Sequence, residues 1–346
     1  MKVTVTQNLN ARVGAPSLNA PCFQFLTPGT ELEVDGRLYP GDAFEGQDNW
    51  LKDASGNYYW VGGVDLQAAA AQDAGGDFQQ FLDDSLSGTS LNRVINYGQL
   101  LNIDQGFKRA GGRGVTIAVV DHPMSASLQS NVTIQRPIAS GNPRRNFHAN
   151  FIFGIIAGIN NIIGISSQVK VISLPIFDEI GDGLTNGIEN ALKFIAGNPD
   201  PMIVNISAGF EDNFDAMFRN FSSNKIIVAA GGMNDELSND KLIYPASLPA
   251  AIAVGAVEPA TTSLRLNPKV DCMLPNFNFV SFKDSGGYFA DKGDSFATAV
   301  ISSVIALLIS SGAVGYDRDA IISQLNSMSM PLSSNNTHAS FNLLKP

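Results

Sequence analysis

Three residues in this chain have the types and the order needed for acyl transfer: Asp121, His148 and Ser295. Ser295 lies in Gly293-Asp-Ser295-Phe-Ala-Thr-Ala299, a Gly-x-Ser turn that runs straight into the apolar stretch Val300 to Ser311. A serine there stands at the mouth of a buried helix, with its hydroxyl free of the core and close to the helix's positive end. That is where a nucleophile is needed. Asp121 ends the buried run Val115-Thr-Ile-Ala-Val-Val-Asp121, and His148 closes Asn146-Phe-His148 ahead of another apolar segment. A carboxylate at a strand end can hold an imidazole in one tautomer. The imidazole can then take the serine's proton and give it to a leaving group.

The elements that must position these residues are legible as an alternation. Residues 115–121, 169–177, 202–206, 225–230 and 251–257 read as buried strands, and 150–159, 184–196 and 212–222 as helices. Continuous Val/Ile/Ala runs with helices between them predict an α/β fold with a mostly parallel sheet covered on both faces. Residues 1–65 differ. Short alternating segments separated by Pro28-Gly29, Asp35-Gly36, Pro40-Gly41 and Ser55-Gly56-Asn57 predict a small all-β unit. Residues 66–90, alanine-rich and then Gly- and acid-rich, read as a linker, which leaves 91–346 as the larger domain.

Composition narrows the function classes. The chain has 346 residues, 44% apolar and 16% charged, with a net charge of −10 and no long basic run, which argues against nucleic acid as a partner. The longest apolar run, about 151–159, is too short for a membrane span. Met1 to Asn8 has no apolar leader, so the expectation is a cytoplasmic protein, or a secreted one if a leader was removed. Cys22 and Cys272, far apart, read as two buried thiols rather than a disulfide.

From about residue 91 onward the chain resembles the subtilisin-like serine proteases, the subtilases. Val115–Asp121 matches their aspartate strand, Asn146-Phe-His148-Ala-Asn-Phe-Ile-Phe-Gly154 their histidine motif, and Gly293-Asp-Ser295-Phe-Ala their serine motif. Val204-Asn-Ile-Ser207-Ala-Gly209 and Tyr244–Val257 match two further family stretches. The resemblance implies a subtilisin-like α/β fold and peptide-bond hydrolysis through an acyl-enzyme on Ser295, with His148 as general base and Asp121 orienting it. It also implies an extended peptide substrate pairing with backbone edges at Ser207, Ala208 and Gly209 and near Gly181 and Gly183. An ungapped match puts Met233 at the family's oxyanion asparagine, and a one-residue bulge puts Asn234 there instead. Residues 1–65 resemble a bacterial SH3-like barrel, whose Trp50, Tyr58, Tyr59 and Trp60 form either a peptide groove or the barrel's core. That unit is expected to bind a peptide or partner protein.

Departures from the family pattern cluster around the site. Ala149-Asn150-Phe151 replaces Gly-Thr-His, and Asp294 replaces a threonine. A carboxylate at 294 opposes oxyanion charge if it points inward and matters little if it points to solvent. Asn160-Asn161-Ile-Ile-Gly164 resembles a shortened calcium loop without a carboxylate, so no metal and no cofactor is expected. His122 should face away from Asp121 across the strand, and His338 falls in a polar tail. Two other readings stand beside the protease: a weak or inactive relative that binds peptides or scaffolds a complex, and a peptide ligase of the same fold.

Overall fold

The computed structural model describes residues 2–65, 78–100, 110–125, 128, 133–134, 147–177, 185–232, 242–257, 270–275, 277–283, 287–328, 330–331 and 340–341. The N-terminal unit is built from eight short strands: β1 (Lys2–Val5), β2 (Leu9–Val13), β3 (Cys22–Leu26), β4 (Glu31–Glu33), β5 (Tyr39–Phe44), β6 (Gln47–Lys52), β7 (Asn57–Trp60) and β8 (Val64–Asp65). They pair antiparallel in two open sheets, β3-β2-β7-β6-β5 and β4-β1-β8, and no closed barrel forms among the described residues. Trp50, Tyr58, Tyr59 and Trp60 are all buried, so this aromatic set is core. The indole N–H groups donate internally, Trp50 to the Asp42 carbonyl at 3.1 Å and Trp60 to the Gln47 carbonyl at 2.9 Å. Its exposed aromatics are Phe23, Phe25 and Phe44. Cys22 is exposed and Cys272 buried, both as free thiols, so the expectation of two buried thiols holds for Cys272 alone.

Residues 78–90 of the stretch read as a linker hold regular structure. Helix α1 (Phe78–Ser85) leads into the hairpin β9 (Leu86–Ser87) and β10 (Ser90–Leu91), and Leu82 is fully buried. Strand β11 (Ile95–Asn96) and helix α2 (Tyr97–Leu100) follow.

The larger part is organised by a nine-stranded sheet in the order β13 (Thr133–Ile134), β16 (Lys170–Pro175), β12 (Thr116–Asp121), β17 (Met202–Ile206), β18 (Lys225–Ala230), β19 (Ala251–Val257), β20 (Cys272–Pro275), β24 (Ser340–Phe341), β23 (Met330–Pro331). Every pairing is parallel except β23 with β24. The helices are α3 (Phe147–Ile156), α4 (Thr185–Gly197), α5 (Asp215–Phe218), α6 (Asp294–Ser310) and α7 (Arg318–Ser327). Helix α3 is followed by the small strands β14 (Gly158–Ile159) and β15 (Ile162–Ile163), the latter pairing with β11.

Successive strand residues enter different cores, which is why these strands are apolar throughout. Ile117, Val119, Ile203, Val228 and Ile252 pack with α3 and α6 on one face. Ala118, Val120, Val204, Ile227 and Ala253 pack with Ile188, Leu192 and Ile195 of α4 on the other. Helix α6 is buried nearly all round, hence its apolar sequence. The expected helix over 212–222 shortens to Asp215–Phe218. The first core also takes in Val3, Leu38, Trp50 and Trp60, so the N-terminal unit shares a continuous apolar interior with the rest. No helix among the described residues is long and apolar enough to cross a membrane.

Candidate active site

In a parallel sheet the carboxyl ends of the strands and the N-termini of the crossover helices meet on one side, and that edge collects ligands. Here it collects all three candidate groups. Asp121 is the last residue of β12, His148 the second residue of α3 and Ser295 the second of α6. The Ser207–Gly209 segment follows β17 directly.

His148 Nδ1 lies 2.8 Å from Asp121 Oδ1 and 3.0 Å from Oδ2. A ring nitrogen held between two carboxylate oxygens carries the proton, which leaves Nε2 as the acceptor. Asp121 is 1% exposed and His148 22% exposed, so carboxylate and imidazole meet largely away from water while one ring edge stays accessible. Burial alone would push the Asp121 carboxyl up. The His148 charge beside it, with hydrogen bonds from His122 and His148, holds it well below the usual carboxylate range. For His148, burial lowers the pKa, but the Asp121 charge and hydrogen bond, with Asp291 nearby, raise it above its usual value.

Ser295 is tied to β17 by reciprocal bonds. Its hydroxyl donates to the Ser207 carbonyl at 3.2 Å, and the Ser207 hydroxyl donates to the Ser295 carbonyl at 3.1 Å. The chain of contacts continues inward: Asn205 Nδ2 donates to Ser207 Oγ at 3.0 Å, and Ser302 Oγ donates to Asn205 Oδ1 at 2.9 Å. These groups lock the mouth of α6 to the carboxyl end of β17. Asn205 and Ser302 sit amid apolar neighbours in sequence, and only their polarity inside buried runs hints at this role.

Gly293 caps α6 at φ 142°, a backbone conformation that a side chain would strain. Asp294 points inward, toward the end of β19. It is 1% exposed, and its Oδ1 accepts the Ala256 N–H at 2.7 Å, so the carboxylate fastens α6 to the end of β19. In the first turn of α6 its charge also suits the helix dipole.

Two motif departures have local explanations. Asn150 is fully buried and its Oδ1 accepts the Ser125 N–H at 2.9 Å, joining the loop after β12 to α3. That link fixes Asp121 relative to His148. Phe151 packs on Phe296 and Phe289, with ring centroids 4.3 and 4.9 Å away, filling apolar space behind the histidine.

His122 overturns its sequence-based placement. It does not face away. Its backbone N–H donates to Asp121 Oδ1 at 2.6 Å and its Nδ1 lies 3.1 Å from the same oxygen. The chain bends after β12, so the two-residue alternation of a strand no longer applies. The His122 ring stacks on Phe177 at 4.1 Å. Gly181, Gly183, Met233, Asn234 and His338 lie outside the described residues.

A model described as the subtilase family matches residues 112–325. Subtilisin amylosacchariticus of Bacillus subtilis subsp. amylosacchariticus is 27% identical over 216 residues, covering 58% of this chain and 56% of that protein. The subtilisin of Bacillus pumilus is also 27% identical over 216 residues, covering 58% of this chain and 78% of its own. The match thus spans little more than half the length of the first of these relatives. A solved structure of a cold adapted subtilisin-like serine proteinase superposes with TM-score 0.58 at 20% identity, over 78% of this chain and 99% of that one, a likeness of fold. With the carboxylate, imidazole and serine all placed at the carboxyl edge of a parallel sheet, and the matched segment running through all three, the chain belongs to the subtilase family.

Proposed function

We propose that this chain is a serine endopeptidase that cleaves peptide bonds through an acyl-enzyme on Ser295. The observation that carries the reading is the contact of His148 Nδ1 with both oxygens of the buried Asp121. That geometry leaves His148 Nε2 as a base. Rotation about χ1 of Ser295 releases its hydroxyl from the Ser207 carbonyl toward His148. As Oγ bonds the acyl carbon, its proton passes to Nε2. The carbon–nitrogen bond then breaks and the amine leaves with that proton. Water repeats the sequence on the ester. The backbone N–H of Ser295, in the first turn of α6 where helical acceptors are missing, and the Asn234 side chain are the proposed oxyanion donors.

Ser207, Ala208 and Gly209, with Gly181 and Gly183 opposite, are the proposed edges that receive an extended peptide as an added strand. Gly209 is exposed and leaves its edge without a side chain. Residues 1–65 are proposed as an SH3-like substrate-recruiting unit, 66–90 as the connection, and 91–346 as the catalytic domain. A cleft of about 340 Å³ in the N-terminal unit, lined by Arg12, Leu18, Phe44, Trp50 and Trp60, supports a peptide-binding role. A purely scaffolding relative has less support, because peptide binding alone has no use for a carboxylate-oriented imidazole.

The test is covalent labelling. A fluorophosphonate should attach to Ser295 of the folded protein, located by mass spectrometry, and the adduct should vanish in Ser295→Ala and fall steeply in His148→Ala. A folded protein that stays unlabelled for hours would refute the endopeptidase reading.

A further inference from the structure

The second histidine at Asp121 carries no proton in that reaction. His122 and His148 approach one carboxylate oxygen from two elements, His122 from the turn after β12 and His148 from α3. Their Nδ1 atoms lie 3.1 and 2.8 Å from Asp121 Oδ1. Taken one atom per residue, the three donors lie within 4.8 Å of one another, and among the described residues no other group of three His, Cys, Asp or Glu side chains does so. Two ligands on a tetrahedral zinc ion stand about 3.3 Å apart, given bonds near 2.0–2.1 Å. The observed spacings of 2.8 and 3.1 Å therefore need to open by about 0.5 and 0.2 Å. Both rings are already oriented: His122 stacks on Phe177 at 4.1 Å and His148 rests against Phe296 at 5.6 Å. Both rings are 22% exposed, while Asp121, against which both Nδ1 atoms lie, is 1% exposed.

We propose that Asp121, His122 and His148 form an inhibitory site for a borderline-soft divalent ion such as Zn²⁺, with a water as fourth ligand. Two imidazoles and one carboxylate are the donor set of three-ligand zinc sites. Mg²⁺ and Ca²⁺ require oxygen-rich shells and fit poorly. Binding displaces the Nδ1 protons, and each reappears on Nε2 of the same ring, so both imidazoles stay neutral. His148 Nε2 then holds a proton and no longer accepts one from Ser295. The ion thus stops turnover by fixing the wrong tautomer, without touching the nucleophile. The site stands on geometry alone, while its effect on turnover rests on the endopeptidase reading above.

Binding is measured first, on full-length Ser295→Ala protein, so that self-cleavage and activity play no part. Co²⁺ should produce visible absorption of a tetrahedral nitrogen/oxygen site, and Zn²⁺ should displace it. His122→Ala and His122→Gln in that background should each weaken Zn²⁺ binding at least tenfold; the glutamine keeps a hydrogen-bond donor near Asp121 and so separates ligation from folding. Zn²⁺ affinity unchanged in the folded His122→Gln protein would overturn the site. On the Ser295 enzyme, Zn²⁺ should inhibit, a chelator should restore the rate, and Mg²⁺ should have no effect. Each His122 variant should resist Zn²⁺ relative to its own metal-free rate. Equal inhibition of enzyme and variants would overturn the mechanism. An enzyme without peptidase activity leaves the binding measurements intact and bears on the endopeptidase reading instead.

Discussion

At the residue scale, the chemistry is set by how one buried carboxylate is surrounded. As the proposed base, His148 works only when neutral. Its folded pKa stands above the usual 6.5, because the Asp121 charge and hydrogen bond, helped by Asp291, outweigh the downward effect of burial. As pH falls through that raised value the base is lost, so the acid limb of kcat/KM should lie above pH 6.5. Asp291→Asn removes one of the raising charges, and the limb should move to lower pH. A limb that stays put in a pH–rate profile would exclude Asp291 from tuning the base. Asp294 belongs to the same scale but to stability. Asp294→Ala leaves the buried Ala256 N–H without its acceptor, at an expected cost of about 1–3 kcal/mol by urea denaturation. Asp294→Asn keeps an acceptor oxygen and should recover part of that loss.

At the element scale, the candidate active site depends on how closely α3 and α6 approach their neighbours. A side chain at Gly154 would put its Cβ 2.0 Å from Ser281 Oγ, on the strand β21 (Phe279–Phe282). The glycine is what lets α3, which carries His148, lie against that strand. Gly154→Ala should destabilise the fold by about 1–3 kcal/mol through overpacking. The double variant with Ser281→Ala removes the clashing oxygen and leaves the nearest Ser281 atom at 3.3 Å, so it should be more stable than Gly154→Ala alone. Additive losses in the double-mutant cycle would show that the helix does not depend on this contact. The Asn205–Ser207–Ser295 chain does for α6 what Gly154 does for α3. Asn205→Ala should lower kcat/KM several-fold in steady-state kinetics, since it loosens both the helix of Ser295 and Ser207 at the proposed substrate edge.

At the scale of the whole molecule, the shared interior makes the N-terminal unit part of the folded body. Leu38 N–H donates to the Asn92 carbonyl at 2.7 Å and Val94 N–H to the Gly36 carbonyl at 3.2 Å, stitching that unit to the segment after α1. Deleting residues 1–65 would strip cover from the core. The recruiting role is therefore better tested at its surface. Phe44, 44% exposed, packs edge-on to Trp60 at 5.0 Å beside the cleft, and Phe23 and Phe25 are more exposed still. Phe44→Ala should slow cleavage of a folded or denatured protein substrate several-fold and leave a short chromogenic peptide unaffected. Equal rates on both would assign the unit a structural role.

Sequence by itself determined the five central strands, the order of the three candidate side chains and the two-sided burial of the sheet. Those properties follow from local hydrophobic runs and from residues whose chemistry is distinctive wherever they fall. Asp121, His148 and Ser295 were legible because a strand end and two helix starts are marked in the chain itself. The tertiary structure decided what lies between the marks. His122 turned out to share Asp121 because the backbone bends where the strand's alternation stops. Asp294 turned into the protein toward a backbone N–H 38 residues away in the chain. The aromatic set of the N-terminal unit became core, with Trp50 and Trp60 also lining the cleft beside Phe44. Each depends on which distant backbone groups need a partner and which spaces need filling, and those needs exist only once the elements have packed.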